Sequence, residues 1–192
     1  LEKVSEKNSF KLFFKENVIG GAAIELHGNP LPQSTLETCR NSDAVLLAAI
    51  GSPIYDDLPR EKRPETGLLN LRSSLDLFAN IRPVKIIPSL TKASSLKEEF
   101  VKEVDLVVVR ELTSGIYFGE PKGRIKTEQG ERAFNTMTYT SVEIKRIADI
   151  AFKLAKQRNK KVCSVDKANV LDVSQLWREE IILVSNNFKE IE

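Results

Sequence analysis

The apolar and polar positions along the chain alternate between short greasy runs and amphipathic stretches. Residues 1–7 read as the end of a helix. Residues 10–15 are apolar and aromatic, and short enough for a strand. Residues 19–24, Ile-Gly-Gly-Ala-Ala-Ile, predict a close-packed turn, and 29–32 predict another. Residues 34–40 form a short helix, with Ser34 as N-cap and Glu37 at capping-box spacing. Residues 43–50 are a continuous apolar run bounded by polar residues and Gly51, the pattern of a strand buried on both faces of a parallel sheet. The following loop, 51–64, leaves that strand at the edge where open α/β sheets bind ligands. Strands are expected over 82–88 and 104–109, with a helix over 94–101 between them. Residues 113–119 and 133–139 flank a polar turn, 120–131, and are expected to pair as a projecting hairpin. Ser141 opens an amphipathic helix, with Ile144, Ile147, Ala148, Ala151, Leu154 and Ala155 on one face. A strand over 161–165, a polar turn over 166–169 and a helix from Asp172 or Ser174 through Trp177 complete the pattern. The alternation is α/β with a hairpin insertion.

One stretch, residues 63–85, combines these signals with candidate chemistry. It begins as a loop, continues as a helix, and meets Arg82-Pro83, where proline disfavours helix at the preceding residue. Arg72 is four residues after Leu68 and three after Leu69, so all three share a helix face. Leu71 and Leu75 share another. Two readings of the first face stand: leucines in the core beside a solvated arginine, or a surface for a ligand with an apolar tail and a carboxylate.

Composition narrows the classes. The chain has 192 residues, 41% hydrophobic and 29% charged, as in soluble globular domains. Its 29 basic and 27 acidic residues leave a net charge of +2, which argues against a dedicated nucleic-acid binder. No apolar run approaches the length of a bilayer span. Cys39 and Cys163 form no disulfide framework and read as free thiols of a reducing compartment, hence a cytoplasmic location. His27, the only histidine, reads as structural or solvated; multi-histidine metal sites are excluded. The first residue is Leu1 and the chain is expected to be a fragment open at both ends, its two domains represented by residues 1–77 and 78–192.

Arg72, Arg82 and Arg110 fall at element ends or on an exposed face. Converging, they suit a dicarboxylic acid; dispersed, they are solvated cations. Lys167 after a buried strand is either a surface cation or a proton-transfer group. Tyr117 in its glycine-flanked patch is either hairpin packing or a general acid. No GxGxxG or P-loop sequence is present.

Three motifs in order carry a resemblance. Residues 63–83, from Arg63-Pro64-Glu65-Thr66-Gly67 through Asp76-Leu77-Phe78-Ala79-Asn80-Ile81-Arg82-Pro83, residues 109–119, Val-Arg-Glu-Leu-Thr-Ser-Gly-Ile-Tyr-Phe-Gly, and residues 165–171, Val-Asp-Lys-Ala-Asn-Val-Leu, closely resemble the isocitrate/isopropylmalate dehydrogenase family, in its 3-isopropylmalate branch. The resemblance runs from Ile19 to Glu179. It implies a two-domain α/β fold, incomplete here, with a hairpin arm at about 112–139. It also implies NAD-dependent oxidative decarboxylation of 3-isopropylmalate by a homodimer whose sites are shared between subunits, with isocitrate, homoisocitrate and tartrate enzymes as the alternative paralogues. By this resemblance, Arg72, Arg82 and Arg110 bind the substrate carboxylates. Leu68, Leu69 and Val170 surround the isopropyl group. Lys167 helps take the hydroxyl proton, and Tyr117 protonates the enolate. Ser52, Pro53, Glu65 and Asn169 lie near NAD. The Mg2+ or Mn2+ ligands are expected beyond Glu192, so the chain alone is expected to be inactive. Two departures stand out: Ser114 replaces a glycine usual in the second motif, and Ser52, Ile54 and Tyr55 depart from the usual Gly-Gly-Pro-Lys-Trp loop.

Overall fold

The computed structural model describes residues 1–192, which fall into two units, Leu1–Asp76 and Leu77–Glu192. In the first unit, helices α1 (Glu2–Lys7), α2 (Gly21–His27), α3 (Gln33–Arg40) and α4 (Pro64–Ser74) are joined by extended chain and two short 3-10 turns, Pro53–Tyr55 and Arg60–Lys62. Gly20 precedes α2 with φ +65, and its position lies so close to Ile50 that a side chain would collide there. Residues 21–27 are therefore a helix rather than the expected turn. The 29–32 turn is present, closed by the Leu31 N–H donating to Asn29 Oδ1. Helix α3 starts one residue earlier than expected: Pro32 is its N-cap and Ser34 makes no capping bond.

Two expected strands of this unit are not paired. Residues 10–15 and 43–50 run without helix or ladder, and Phe13 and Leu46 are 90% and 84% exposed. Their apolar patterns are those of strands, but a strand needs a hydrogen-bonded neighbour for its backbone, and both sheets of the chain lie in the second unit.

The second unit contains β1 (Ala79–Lys85), α5 (Glu98–Val101), β2 (Asp105–Glu111), β3 (Gly123–Thr127), β4 (Gly130–Phe134), α6 (Ser141–Lys156) and α7 (Asp172–Ser185). Strands β1 and β2 pair antiparallel, with Ala79 opposite Glu111 and Lys85 opposite Asp105. Leu106 and Val108 are about half exposed, so β2 is not the doubly buried strand its sequence predicts. The helix expected over 94–101 is realised only as the short α5, and a 3-10 segment, Pro88–Ala93, takes the chain into it. The hairpin also differs: β3 forms within the stretch read as a polar turn and β4 begins there and runs on to Phe134, Thr127 pairing with Gly130, whereas Gly115–Tyr117 is a 3-10 turn.

Helix α6 realises its periodicity. Ile144, Ile147, Ala148, Phe152 and Ala155 are buried, and Phe152 stacks on Phe188 at 5.2 Å. Thr140 and Glu143 close a reciprocal capping box at its start. Helix α7 runs past Trp177 to Ser185, with Leu171 as N-cap, so neither Asp172 nor Ser174 caps it. Residues 161–165, expected as a strand, join no ladder: the Val162 N–H donates to the Glu192 carbonyl, the Glu192 N–H to the Lys160 carbonyl and the Trp177 Nε1–H to Ser164 Oγ. An apolar cavity of about 880 Å³ lies between this segment, β2 and α6. Both cysteines are free, and no helix is long and apolar enough to cross a membrane.

Candidate active site

The antiparallel register of β1 and β2 puts Asn80 opposite Arg110 and Arg82 opposite Val108. Side chains alternate across a strand, so Asn80, Arg82 and Arg110 share one face of the ribbon. The Arg82 Nε–H donates to Asn80 Oδ1 at 2.6 Å, which orients the guanidinium along the face. Beyond β2 the chain turns through Gly115–Tyr117 and returns Tyr117 to Arg110: the Arg110 Cζ lies 4.9 Å from the ring centroid. Tyr117 is 48% exposed. Its hydroxyl is held below the usual tyrosine pKa, first by hydrogen bonding with Arg110, then by the charges of Arg110 and Arg82. The structure thus gathers Arg82, Arg110 and Tyr117 into one cationic, phenol-bearing cluster.

Glu111, the next residue, faces the opposite way and is buried. Its carboxylate accepts from the Thr113 and Ser114 N–H groups, the Thr113 hydroxyl and the Arg146 guanidinium. Arg146 also lies over the Phe78 ring, 4.4 Å from its centroid. Sequence reasoning missed this network, because no spacing rule connects Glu111 with a residue 35 positions away.

Lys167, Asn169 and Val170 stand on a separate turn ahead of α7, all three exposed. No hydrogen bond or ion pair joins them to the Arg110–Tyr117 cluster. The turn is tied by the Val170 and Leu171 N–H groups donating to the Lys167 carbonyl. Asp166 anchors it from inside, accepting from Arg178 at 2.7 and 3.1 Å and from the Ala168 N–H at 2.9 Å. The Arg178 bond, then the Ala168 bond, hold the Asp166 carboxyl below the usual carboxylate range. Asp166 too was missed; its only sequence signal is its place beside Lys167.

The first unit carries the other candidates. On α4, Leu68, Leu69 and Arg72 are half-buried on one face, and Leu71 is 3% exposed on the other. Gly67 makes this seat possible: a Cβ there would stand 2.6 Å from the Pro30 carbonyl oxygen. The helix ends at Ser74, earlier than the Arg82-Pro83 boundary, and Arg82 belongs to β1. The leucine–arginine face and the Arg82–Arg110–Tyr117 cluster fall on different units.

Glu65, in the first turn of α4, faces the loop it was expected to share. A methyl group on Gly51 would lie 2.5 Å from Glu65 Oε1. Ser52, half-buried, and Pro53, exposed, follow directly, and the Ser52 carbonyl accepts from the Tyr55 N–H at 3.0 Å. A carboxylate beside a hydroxyl and open backbone suits the hydroxyl and amide groups of a dinucleotide. Tyr55 latches the loop: its hydroxyl donates to Glu25 at 2.7 Å, the main reason its pKa lies above the usual value. His27 is exposed. No three His, Cys, Asp or Glu side chains lie together in a group able to hold a metal ion, so no chemical step is assigned to one within this chain.

The family model described as isocitrate/isopropylmalate dehydrogenase matches residues 1–192. The 3-isopropylmalate dehydrogenase of Prochlorococcus marinus (strain NATL2A) is 81% identical over 192 residues, covering 100% of this chain and 54% of that protein. The enzyme of the same name from Synechococcus sp. (strain CC9902) is 62% identical with the same coverage. Among solved structures, isocitrate dehydrogenase from Methylococcus capsulatus superposes with a TM-score of 0.79 at 29% identity, covering 100% of this chain and 53% of that one. The chain therefore spans about half the length of the relatives it matches. With the family model matched from the first residue to the last, the chain belongs to the isocitrate/isopropylmalate dehydrogenase family.

Proposed function

We propose that this chain is part of an NAD-dependent 3-isopropylmalate dehydrogenase, which converts (2R,3S)-3-isopropylmalate to 2-oxoisocaproate and carbon dioxide in leucine biosynthesis. The observation that carries the reading is the cluster of Arg82, Arg110 and Tyr117, two fixed cations beside a phenol of lowered pKa. Arg82 and Arg110, with Arg72 from α4, bind the two carboxylates; charge-assisted bonds of this kind are each worth about 1.5–3 kcal/mol. Leu68, Leu69 and Val170 receive the isopropyl group. A substrate lacking that group would leave two half-buried leucines without a partner, which favours 3-isopropylmalate over isocitrate, homoisocitrate or tartrate.

The chemistry follows from where charge develops. Lys167 takes the hydroxyl proton as the carbinol carbon becomes a carbonyl. Glu65, Ser52, Pro53 and Asn169 would hold NAD, which would supply the hydride acceptor. The carboxylate on the neighbouring carbon then leaves as carbon dioxide, its bonding pair forming an enolate. Tyr117 donates its proton to that carbon. Arg110 favours the resulting phenolate, as the lowered pKa of Tyr117 indicates. Mg2+ or Mn2+ is proposed for the whole enzyme, with ligands outside these residues, and the 192-residue chain alone is proposed to be inactive.

Pairing with a second copy is proposed for the β3–β4 ribbon. Nearly every residue of it is exposed, and a lone two-stranded hairpin is marginal in water. A shared site would explain why Lys167 stands apart from Arg110 and Tyr117. A cytoplasmic location is proposed from the two free thiols.

The test is stoichiometry. The full-length enzyme supplied with 3-isopropylmalate and NAD should release carbon dioxide and NADH in equal amounts. NADH without carbon dioxide would refute the decarboxylating assignment.

A further inference from the structure

The Arg110–Tyr117 pair is open to solvent, yet its geometry is set from the buried side of the chain. Glu111 follows Arg110 in β2 and points away from it, its side chain 1% exposed. Four donors converge on that carboxylate: Thr113 N–H at 3.0 Å, Ser114 N–H at 2.8 Å, Thr113 Oγ1 at 3.0 Å and Arg146 Nη2 at 2.9 Å. Arg146 Nη2 also donates to Thr113 Oγ1 at 2.6 Å. Three of these donors belong to the two residues immediately before Gly115, where the Tyr117 turn begins. The Ser114 hydroxyl donates to Glu143, whose other oxygen accepts from Thr140 at the start of α6. The Gly115 N–H donates to the Thr138 carbonyl at 2.9 Å, and Gly115 has φ +76 with the Tyr139 ring packed against it. The turn is thus held at its buried root by Glu111, α6 and the 138–139 segment, while its tip is exposed.

Resting on the proposed dehydrogenase reading, we infer that Glu111, together with Ser114, is a positioning pair: it fixes the 112–115 turn and so sets where Tyr117 stands relative to Arg110. Neither residue touches substrate. Ser114 extends the anchor to α6. Its backbone is extended, φ −131 and ψ −164, a conformation open to any residue, so glycine is not required there and serine adds a hydroxyl tether.

The test uses the full-length enzyme with E111Q and S114A. A glutamine amide presents donors toward the Thr113 and Ser114 N–H groups, which already donate; alanine removes only the hydroxyl bond to Glu143. The first readout is tyrosinate absorbance against pH, with Y117F subtracted to isolate Tyr117. The charged groups facing Tyr117 are Arg110, Arg82 and Lys122, whose ammonium contacts its carbonyl and pairs with Glu120. Loosening the turn moves Tyr117 away from Arg110, so its pKa should rise toward about 10 in E111Q, and less far in S114A. The second readout is turnover: kcat should fall by about 10- to 100-fold in E111Q, as for a 1 Å misplacement, with KM within about threefold. S114T should restore wild-type titration. Where E111Q does not fold, S114A decides alone. An unchanged Tyr117 titration in the folded variants overturns the inference. The titration needs no substrate, so it stands apart from failure of the wild-type protein to oxidise 3-isopropylmalate.

Discussion

The Arg110 guanidinium sits over the Tyr117 ring, 4.9 Å from its centroid, although the two residues leave opposite ends of a tight turn. Stacking and hydrogen bonding of this kind need a planar fork, which lysine lacks. Arg110→Lys should therefore raise the Tyr117 pKa and lower kcat/KM for 3-isopropylmalate by about 10- to 100-fold, a loss of about 1.4–2.7 kcal/mol in the transition state. Initial-rate kinetics and a tyrosinate titration of the full-length enzyme check both effects together.

In the proposed function, the leucine face of α4 is the specificity element. Leu68→Ala or Leu69→Ala should lower kcat/KM for 3-isopropylmalate by about 10- to 200-fold, the range for methylene groups in an apolar pocket. Rates with isocitrate should change by less than the 3-isopropylmalate rates. Equal losses on both substrates would mean that the leucines are ordinary packing.

Gly67→Ala separates helix propensity from packing. Alanine gains about 1 kcal/mol in a helix interior over glycine. The new Cβ, however, meets the Pro30 carbonyl oxygen at 2.6 Å, and overpacking against backbone costs about 1–3 kcal/mol. The clash with backbone outweighs the gain, and denaturant unfolding should show a net loss of up to about 2 kcal/mol.

The candidate site was legible where a motif lies within a few residues, and hidden where it depends on distant chain. That Leu68, Leu69 and Arg72 share one helix face follows from their spacing, and α4 is a helix there. The amphipathic face of α6 follows from its period, and the helix opens at Ser141 as expected, with Thr140 as its cap. Phe152 and its stacking on Phe188 went unread because the face was counted from aliphatic residues. Glu111 and Arg146 were invisible, since charged residues read as surface until a partner is known. The strands at 10–15, 43–50 and 161–165 show the reverse. Their apolar runs state a demand for burial, but a ladder forms only when a partner strand is present. The hairpin was misplaced because β3 and β4 are mostly polar, with Ile125 and Phe134 their only large apolar residues, and such a stretch resembles a turn.

Asp166 gives the pH dependence. The Arg178 bond, followed by the Ala168 N–H, lowers its folded pKa. A carboxyl with a depressed folded pKa contributes stability above its unfolded pKa, near pH ~4. That contribution is lost as pH falls through the folded value. Asp166→Asn should therefore lower the urea midpoint at pH 7, with a smaller difference from wild type at pH 3. A mutant effect that is the same at both pH values would exclude the ion pair as its source.

The central claim, that this chain carries the substrate-selecting half of a 3-isopropylmalate dehydrogenase, is tested most directly by substrate preference. NADH formation by the full-length enzyme should be measured with 3-isopropylmalate, isocitrate and malate at matched concentrations. The kcat/KM for 3-isopropylmalate should lie at least about 10-fold above that of either competitor, the lower bound for one apolar contact. A preference for isocitrate or malate would contradict it.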